Sequence, residues 1–145
     1  SLADLTRELS ALEGEVSAPA PAYSAVKHRG KALYAYARAG VPVPVKPRTC
    51  VIHSWKALAW ESPELTHRLF CGSGTYVRSL AEILGEKLGC AGTVSSLRRE
   101  KVGPFDIAQA LSLDAARALS PQALSGVLSA SLSVLDRALK ETPAR

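Results

Sequence analysis

TCVIHSWKAL (residues 49–58), ESP (61–63), ELTHRLFC (64–71), GSGT (72–75) and YVRSLAEILGEKL (76–88) follow one another in mid-chain, and their order decides the fold class. The first and third runs are rich in β-branched and aromatic residues and meet across a proline-bearing turn, the pattern of a β-hairpin. In 64–71, strand alternation puts Leu65, His67, Leu69 and Cys71 on one face. Gly72-Ser73-Gly74-Thr75 is a sharp loop. After it Leu80, Leu84 and Leu88 recur at helical spacing, with Gly89 as the stop.

Towards the N-terminus, Leu2, Leu5, Leu9 and Leu12 predict an amphipathic helix, with Ser1 and Asp4 as a capping box and Gly14 as its end. Residues 16–22, with Pro19 and Pro21, are expected to be extended, and 31–39 to form a short helix closed by Gly40. Pro42, Pro44 and Pro47 punctuate a further extended run. Towards the C-terminus come a loop (89–92), an extended stretch (93–102) and a turn at Val102-Gly103-Pro104-Phe105. Residues 108–140 are helix-prone, with Ser112 and Ser120 as N-caps and Gly126 as a weak point; the end, Pro143-Ala144-Arg145, is expected to fray. The sum is an α+β fold, a mainly antiparallel mixed sheet with flanking helices and a helical tail. The first helix and the sheet edges have no evident cover, so a lopsided part of a larger domain is expected.

At 145 residues, 47% hydrophobic and 21% charged, the chain has the balance of one soluble domain and hardly the length for two. No run approaches the roughly 18 apolar residues of a membrane span. The start, Ser1-Leu2-Ala3-Asp4, lacks the regions of a signal peptide. Methionine is absent throughout, so Ser1 is not expected to be a native translation start. Cys50, Cys71 and Cys90, an odd set without C-x-x-C spacing, read as reduced, buried thiols of a cytoplasmic protein. His28, His53 and His67 are too scattered for a metal site.

The net charge of +5 is concentrated. Between Val16 and Trp60 there is no Asp or Glu, while Lys27, Arg29, Lys31, Arg38, Lys46, Arg48 and Lys56 supply seven positive charges; the remainder holds 11 basic and 13 acidic residues. Tyr23, Tyr34 and Tyr36 lie in the same segment. Basic residues interleaved with aromatics are the footprint of a polyanion reader such as an RNA-binding surface, and a solvated face without a ligand fits the composition equally. The 72–75 loop at a helix start reads either as an anion site or as a tight strand-to-helix turn. It is neither a P-loop nor a dinucleotide fingerprint. No nucleophile elbow, metal box or paired-carboxylate motif is present.

Tyr23-Ser24-Ala25-Val26-Lys27, then Gly30-Lys31-Ala32-Leu33-Tyr34 and Ala37-Arg38-Ala39-Gly40, resemble the pattern PPxYSAxKxxGxxLYxxARxG of the TruB family of tRNA pseudouridine synthases. Arg48 precedes a strand, as in that family. Gly74-Thr75-Tyr76-Val77-Arg78-Ser79-Leu80 with Leu84-Gly85-Glu86-Lys87-Leu88-Gly89 is similar to GTYIRxLxxDLGxxLG. Leu97-Arg98-Arg99 and Val102-Gly103-Pro104-Phe105 match LRRxxVGPF. The ordered blocks span about residues 2–116.

The resemblance implies part of the pseudouridine synthase fold: 1–107 as the C-terminal part of the catalytic domain and 108–145 as a helical extension, with no recognisable PUA domain after Phe105. It implies isomerisation of the T-loop uridine (position 55) of tRNA without cofactor or metal, by a cytoplasmic enzyme that is a monomer when complete. Tyr76 would pack against the target uracil and Arg78 would pair with the catalytic aspartate. Lys27 would reach the cleft and Leu97 would line the base pocket. Lys27, Arg29, Lys31, Arg38 and Arg48 are the candidates for holding the tRNA T-arm. Without the resemblance, Tyr76 and Leu97 read as core residues, and Arg78 and Lys27 as solvated charges. The chemistry agrees with the inventory, since uridine isomerisation needs an unstacked base, a carboxylate beside sugar and base, and a guide for the proton at C5.

The family's aspartate sits in GxLDPxATG, upstream of the YSAxK block. Asp4, Asp106, Asp114 and Asp136 stand in no such context. No catalytic residue is therefore assigned within the chain. The nucleophile is expected upstream of Ser1, in the N-terminal half of the same domain, and the chain alone is expected to be inactive. Ala20-Pro21-Ala22, Cys71-Gly72-Ser73, Ile83 and Gly92-Thr93-Val94 depart from the family pattern. The alternatives are a non-catalytic tRNA-binding module derived from such an enzyme and a structural remnant.

Overall fold

Ser1 opens α1 (Leu2–Ser10): its hydroxyl accepts the Asp4 N–H at 3.3 Å, and the Asp4 carboxylate reaches back to the Ser1 amine at 3.1 Å and hydroxyl at 2.7 Å. The expected capping box is present. The Ser1 hydroxyl foremost, with the terminal amine and Arg7, holds the Asp4 carboxyl below its ordinary value. The computed structural model describes residues 1–141, in two compact units, 1–95 and from Ser96 onward. The expected fraying at 143–145 lies outside the described residues.

In the first unit β1 (Gly14–Ala18), β2 (Lys27–His28), β3 (Lys31–Ala32), α2 (Leu33–Arg38), β4 (Arg48–Glu61), β5 (Glu64–Cys71) and α3 (Val77–Lys87) follow α1. The main sheet has the order β1-β4-β5, antiparallel throughout, and β2 pairs with β3 in a separate hairpin. The α+β class and the 64–71 face are as the sequence predicts: Leu65, His67, Leu69 and Cys71 alternate half-buried with exposed neighbours.

Two β-bulges keep β4 aimed at the core. Ile52 pairs with Cys71 and Ser54 with Phe70; then Ala57 pairs with His67 and Ala59 with Thr66. Each step leaves one extra residue on β4, which reverses the parity of the side chains. Cys50 and Ile52, then Trp55 and Ala57, therefore all face the same side. Just before β1 begins, the Glu13 carboxylate continues the edge by accepting the Trp55 N–H at 2.8 Å.

The core corrects one expectation. The first helix does have cover: Leu9 and Leu12 pack with Ala18, Cys50, Ile52 and Trp55 from the sheet and with Leu80 and Leu84 from α3. The apolar stripes of α1 and α3 share one sheet face, which neither helix announces locally. The thiols divide as well: Cys50 is buried, Cys71 half-buried and Cys90 exposed, all three free. The loop after α3 lies against it at glycines, because a Cβ on Gly92 would stand 2.2 Å from the Ala81 carbonyl oxygen.

In the second unit β6 (Lys101–Val102) and β7 (Phe105–Asp106) close a hairpin over Gly103-Pro104, followed by a 3-10 turn (Ile107–Gln109), α4 (Leu113–Arg117) and α5 (Pro121–Glu141). Of the expected extended stretch 93–102 only Lys101 and Val102 pair; the rest finds no strand among the described residues. Ser112 and Ser120 are the N-caps predicted, accepting from Ala115 N–H at 3.1 Å and Ala123 N–H at 3.2 Å. No helix among the described residues is long and apolar enough to cross a membrane.

Candidate functional site

The 72–75 loop sets the position of Tyr76. Gly74 takes φ +78, the Thr75 hydroxyl donates to the Gly72 carbonyl at 2.8 Å, and Tyr76 caps α3 with extended backbone instead of joining its apolar stripe. Residues 74–76 form one wall of a shallow cleft. Ala18, Pro19 and Ala20 from the end of β1 and Arg48, Thr49 and Cys50 from the start of β4 form the others. The register explains the meeting, since Ala18 pairs with Arg48. Tyr76 and Arg48, 28 residues apart in sequence, thus share one site. Its open space is about 20 Å³, room for one water and too little for a base by itself.

Arg78 stands in the first turn of α3 with its side chain exposed, and its Nη2 donates to the Tyr23 carbonyl at 3.1 Å. The neighbouring Ser79 is 1% exposed and donates its hydroxyl to the Pro19 carbonyl at 2.7 Å. Two bonds from adjacent helix residues therefore pin segment 19–23 beside the Tyr76 cleft. Among the described residues no carboxylate pairs with Arg78, and its guanidinium has further N–H donors to offer. The buried hydroxyl of Ser24 has no hydrogen-bond partner among the described residues.

The other basic candidates, Arg48 apart, follow that segment in the chain, on a hairpin and the short helix after it. Lys27 and Lys31 lie on β2 and β3, and the hairpin closes at Arg29-Gly30, whose φ values of +48 and +81 are those of a type I′ turn. The Tyr36 hydroxyl donates to the His28 carbonyl at 3.1 Å; the Lys31 Nζ lies 5.1 Å from the Tyr36 ring centre, and the Arg38 guanidinium 5.5 Å from that of Tyr34. Leu97 lies in the second unit, 65% exposed, and is no core residue there. Among the described residues no group of three or more His, Cys, Asp or Glu is placed to hold a metal.

Sequence reasoning missed Ser79 and the 18–20 wall, because their partners lie some sixty residues away and leave no local signal. All four aspartates have local roles. Asp4 caps α1, Asp106 accepts the Ala108 N–H at 2.9 Å, Asp114 lies 3.8 Å from Arg117, and Asp136 lies 2.7 Å from Lys140.

Residues 1–77 match the family model described as TruB family pseudouridylate synthase, N terminal domain. The chain belongs to the TruB family. Residues 78–140 match the model of the tRNA pseudouridylate synthase B C-terminal domain. The tRNA pseudouridine synthase B of Nitrosospira multiformis is 45% identical over 81% of this chain and 40% of its own length. That of Aromatoleum aromaticum is 44% identical over 86% of this chain and 40% of its own. The TruB chain described here therefore spans about 40% of the length of these relatives. Among solved structures, a chain from the crystal structure of a Cbf5-Nop10-Gar1 complex superposes with a TM-score of 0.56 and 28% identity, covering 72% of this chain and 27% of that one.

Proposed function

We propose that this chain is part of a tRNA pseudouridine synthase that isomerises the T-loop uridine, acting in the cytoplasm without metal or cofactor. Residues 1–107 complete the catalytic domain and 108–145 extend it. The observation that carries the reading is the cleft where Tyr76 and Arg48 meet, with Arg78 two residues on bonded to the Tyr23 carbonyl, in a chain whose residues 16–60 hold no carboxylate. Tyr76 offers its ring to the unstacked uracil. Arg78, steadied by the Tyr23 carbonyl, holds the catalytic carboxylate ionised and oriented with its remaining donors. Lys27 completes the lining, and Lys27, Arg29, Lys31, Arg38 and Arg48 hold phosphates of the T-arm. The nucleophilic aspartate is supplied from a segment outside the chain, so the chain alone has no turnover; the local engagement of Asp4, Asp106, Asp114 and Asp136 supports this. The complete enzyme is a monomer.

The same engagement favours the second reading, a tRNA-binding module without catalysis. Titrating the isolated chain with tRNA at rising salt tests what the two share. Binding should weaken steeply, with a log–log slope of about −4 to −5 if each of the five cations meets a phosphate. Binding that ignores salt, or none at low salt, would leave only a structural remnant.

A further inference from the structure

β1, β4 and α3 with its preceding loop meet at the Tyr76 cleft, and different bonds tie them together. Ala18 of β1 pairs with Arg48 of β4. The 72–75 loop is tied to β4 where the Gly72 N–H donates to the Val51 carbonyl at 2.8 Å. Both ties are made by backbone and are indifferent to most substitutions. The tie from α3 to the 18–20 wall is made by a side chain, the Ser79 hydroxyl, which donates to the Pro19 carbonyl at 2.7 Å.

That wall needs such a tie. The β1–β4 ladder ends at Ala18 and Arg48, and Pro19 and Pro21 have no N–H with which to extend it. Pro19 lines the cleft but is itself exposed, so burial does little to hold it. Ser79, for its part, is a poor choice for packing alone. It is 1% exposed and stands with Leu80, Leu84 and Gly85 on the covered side of α3. An alanine would suit the helix better and bring no hydroxyl to satisfy. What serine adds is the reach to Pro19, 60 residues back. Tyr76 lies in the same turn as Ser79, since the Leu80 N–H donates to the Tyr76 carbonyl at 3.2 Å.

We propose that Ser79 is a positioning residue for the uridine isomerisation: its bond to Pro19 fixes the 18–20 wall relative to Tyr76, and so fixes where the uracil comes to rest on the Tyr76 ring. Ser79 touches no reacting atom and acts through Pro19. Its chemical consequence rests on the proposed function, whereas the tie itself rests on the hydrogen bond alone. A misplacement of about 1 Å can slow a reaction by up to about 100-fold, while phosphate contacts elsewhere still capture the tRNA.

Two measurements separate the tie from its consequence. In the whole chain, nitrogen-15 relaxation should show the Ala20 amide as rigid as the sheet, with an order parameter of about 0.85. Ser79→Ala should lower it to about 0.6 or less while the β5 amides keep theirs. The variant should still fold, because the carbonyl of the exposed Pro19 can turn to water. In the complete enzyme, Ser79→Ala should lower the single-turnover rate constant about ten-fold and leave the Kd for tRNA within about two-fold. With enzyme in excess that rate constant counts folded enzyme only, so a purely structural loss would not move it. Ser79→Thr keeps the hydroxyl, and across the wild type and both variants the rate should follow the rigidity of Ala20. An Ala20 amide already mobile in the wild type, or unchanged in Ser79→Ala, would overturn the tie. A wild-type rate beside a loosened Ala20, a rate that parts from Ala20 rigidity in Ser79→Thr, or an equal loss of rate and tRNA affinity would overturn the positioning role. A complete wild-type enzyme without turnover would overturn the proposed function and the positioning role with it, while the Ala20 amide still decides the tie.

Discussion

Gly85→Ala should be destabilising, although helix propensity alone says the reverse. In an open helix the change gains about 1 kcal/mol. At Gly85, in α3, the added Cβ would lie 2.4 Å from the Gly92 nitrogen, 2.7 Å from the Ala91 carbonyl carbon and 2.9 Å from the Gly92 Cα, all of them backbone atoms. Ordinary contact needs about 3.5 Å or more, so the loop must retreat by roughly 1 Å. It is tied at the same place, since the Cys90 N–H donates to the Gly85 carbonyl at 2.9 Å. Overpacking of this kind costs about 3 kcal/mol, leaving a net loss of about 2 kcal/mol after the propensity gain. For a unit of this size that lowers the melting temperature by roughly 10 °C. Gly126→Ala, in α5, is the control: nothing lies within 4 Å of its added Cβ, so the propensity gain should appear undiminished. Thermal unfolding followed by circular dichroism, with Trp55 and Trp60 fluorescence reporting the first unit, gives both values. A rise in melting temperature for Gly85→Ala would refute the close approach of α3 and the 89–92 loop.

Stability should also fall in mild acid. The Trp55 indole N–H donates to His67 Nδ1 at 2.9 Å, and burial pushes the His67 pKa below its ordinary 6.5. The unfolded chain binds the proton more readily, so this contribution is complete above about pH 6.5 and is lost as pH falls through the lowered folded value. His67→Gln, which keeps an acceptor for the indole, should flatten the decline in melting temperature between pH 7 and 5; an unchanged slope would assign the decline elsewhere. In a complete enzyme, Arg78→Ala should lower turnover by about 100-fold with far less effect on tRNA affinity, since it misplaces the catalytic carboxylate. Equal losses in both would contradict that role.

The readable features were the local ones. Ser1, Ser112 and Ser120 cap helices because their partners lie within three residues, and the 64–71 alternation survives because β5 has no extra residue. β4 concealed its inner face because two bulges shift its parity, so no single alternation runs from Cys50 to Trp60. The cover for α1 was also hidden, because it comes from Leu80 and Leu84 far along the chain. For the proposed site, the resemblance of the ordered blocks to the family pattern singled out Tyr76 and Arg78. The Tyr23 carbonyl that steadies Arg78 is a backbone group 55 positions away, which no side-chain pattern encodes. The Arg29-Gly30 turn lacks the Asn-Gly or Asp-Gly signature, so the hairpin had no local signal and residues 31 and 32 read as part of the short helix.

The most direct test of the central claim is tritium release from tRNA labelled at C5 of uridine. The chain alone should release none, and the chain mixed with a separately produced upstream segment bearing the Gly-x-Leu-Asp motif should release the label of the T-loop uridine. Release by the chain alone, or none from the mixture although both parts bind tRNA, would contradict the claim that this chain supplies one wall of a catalytic centre completed from outside it.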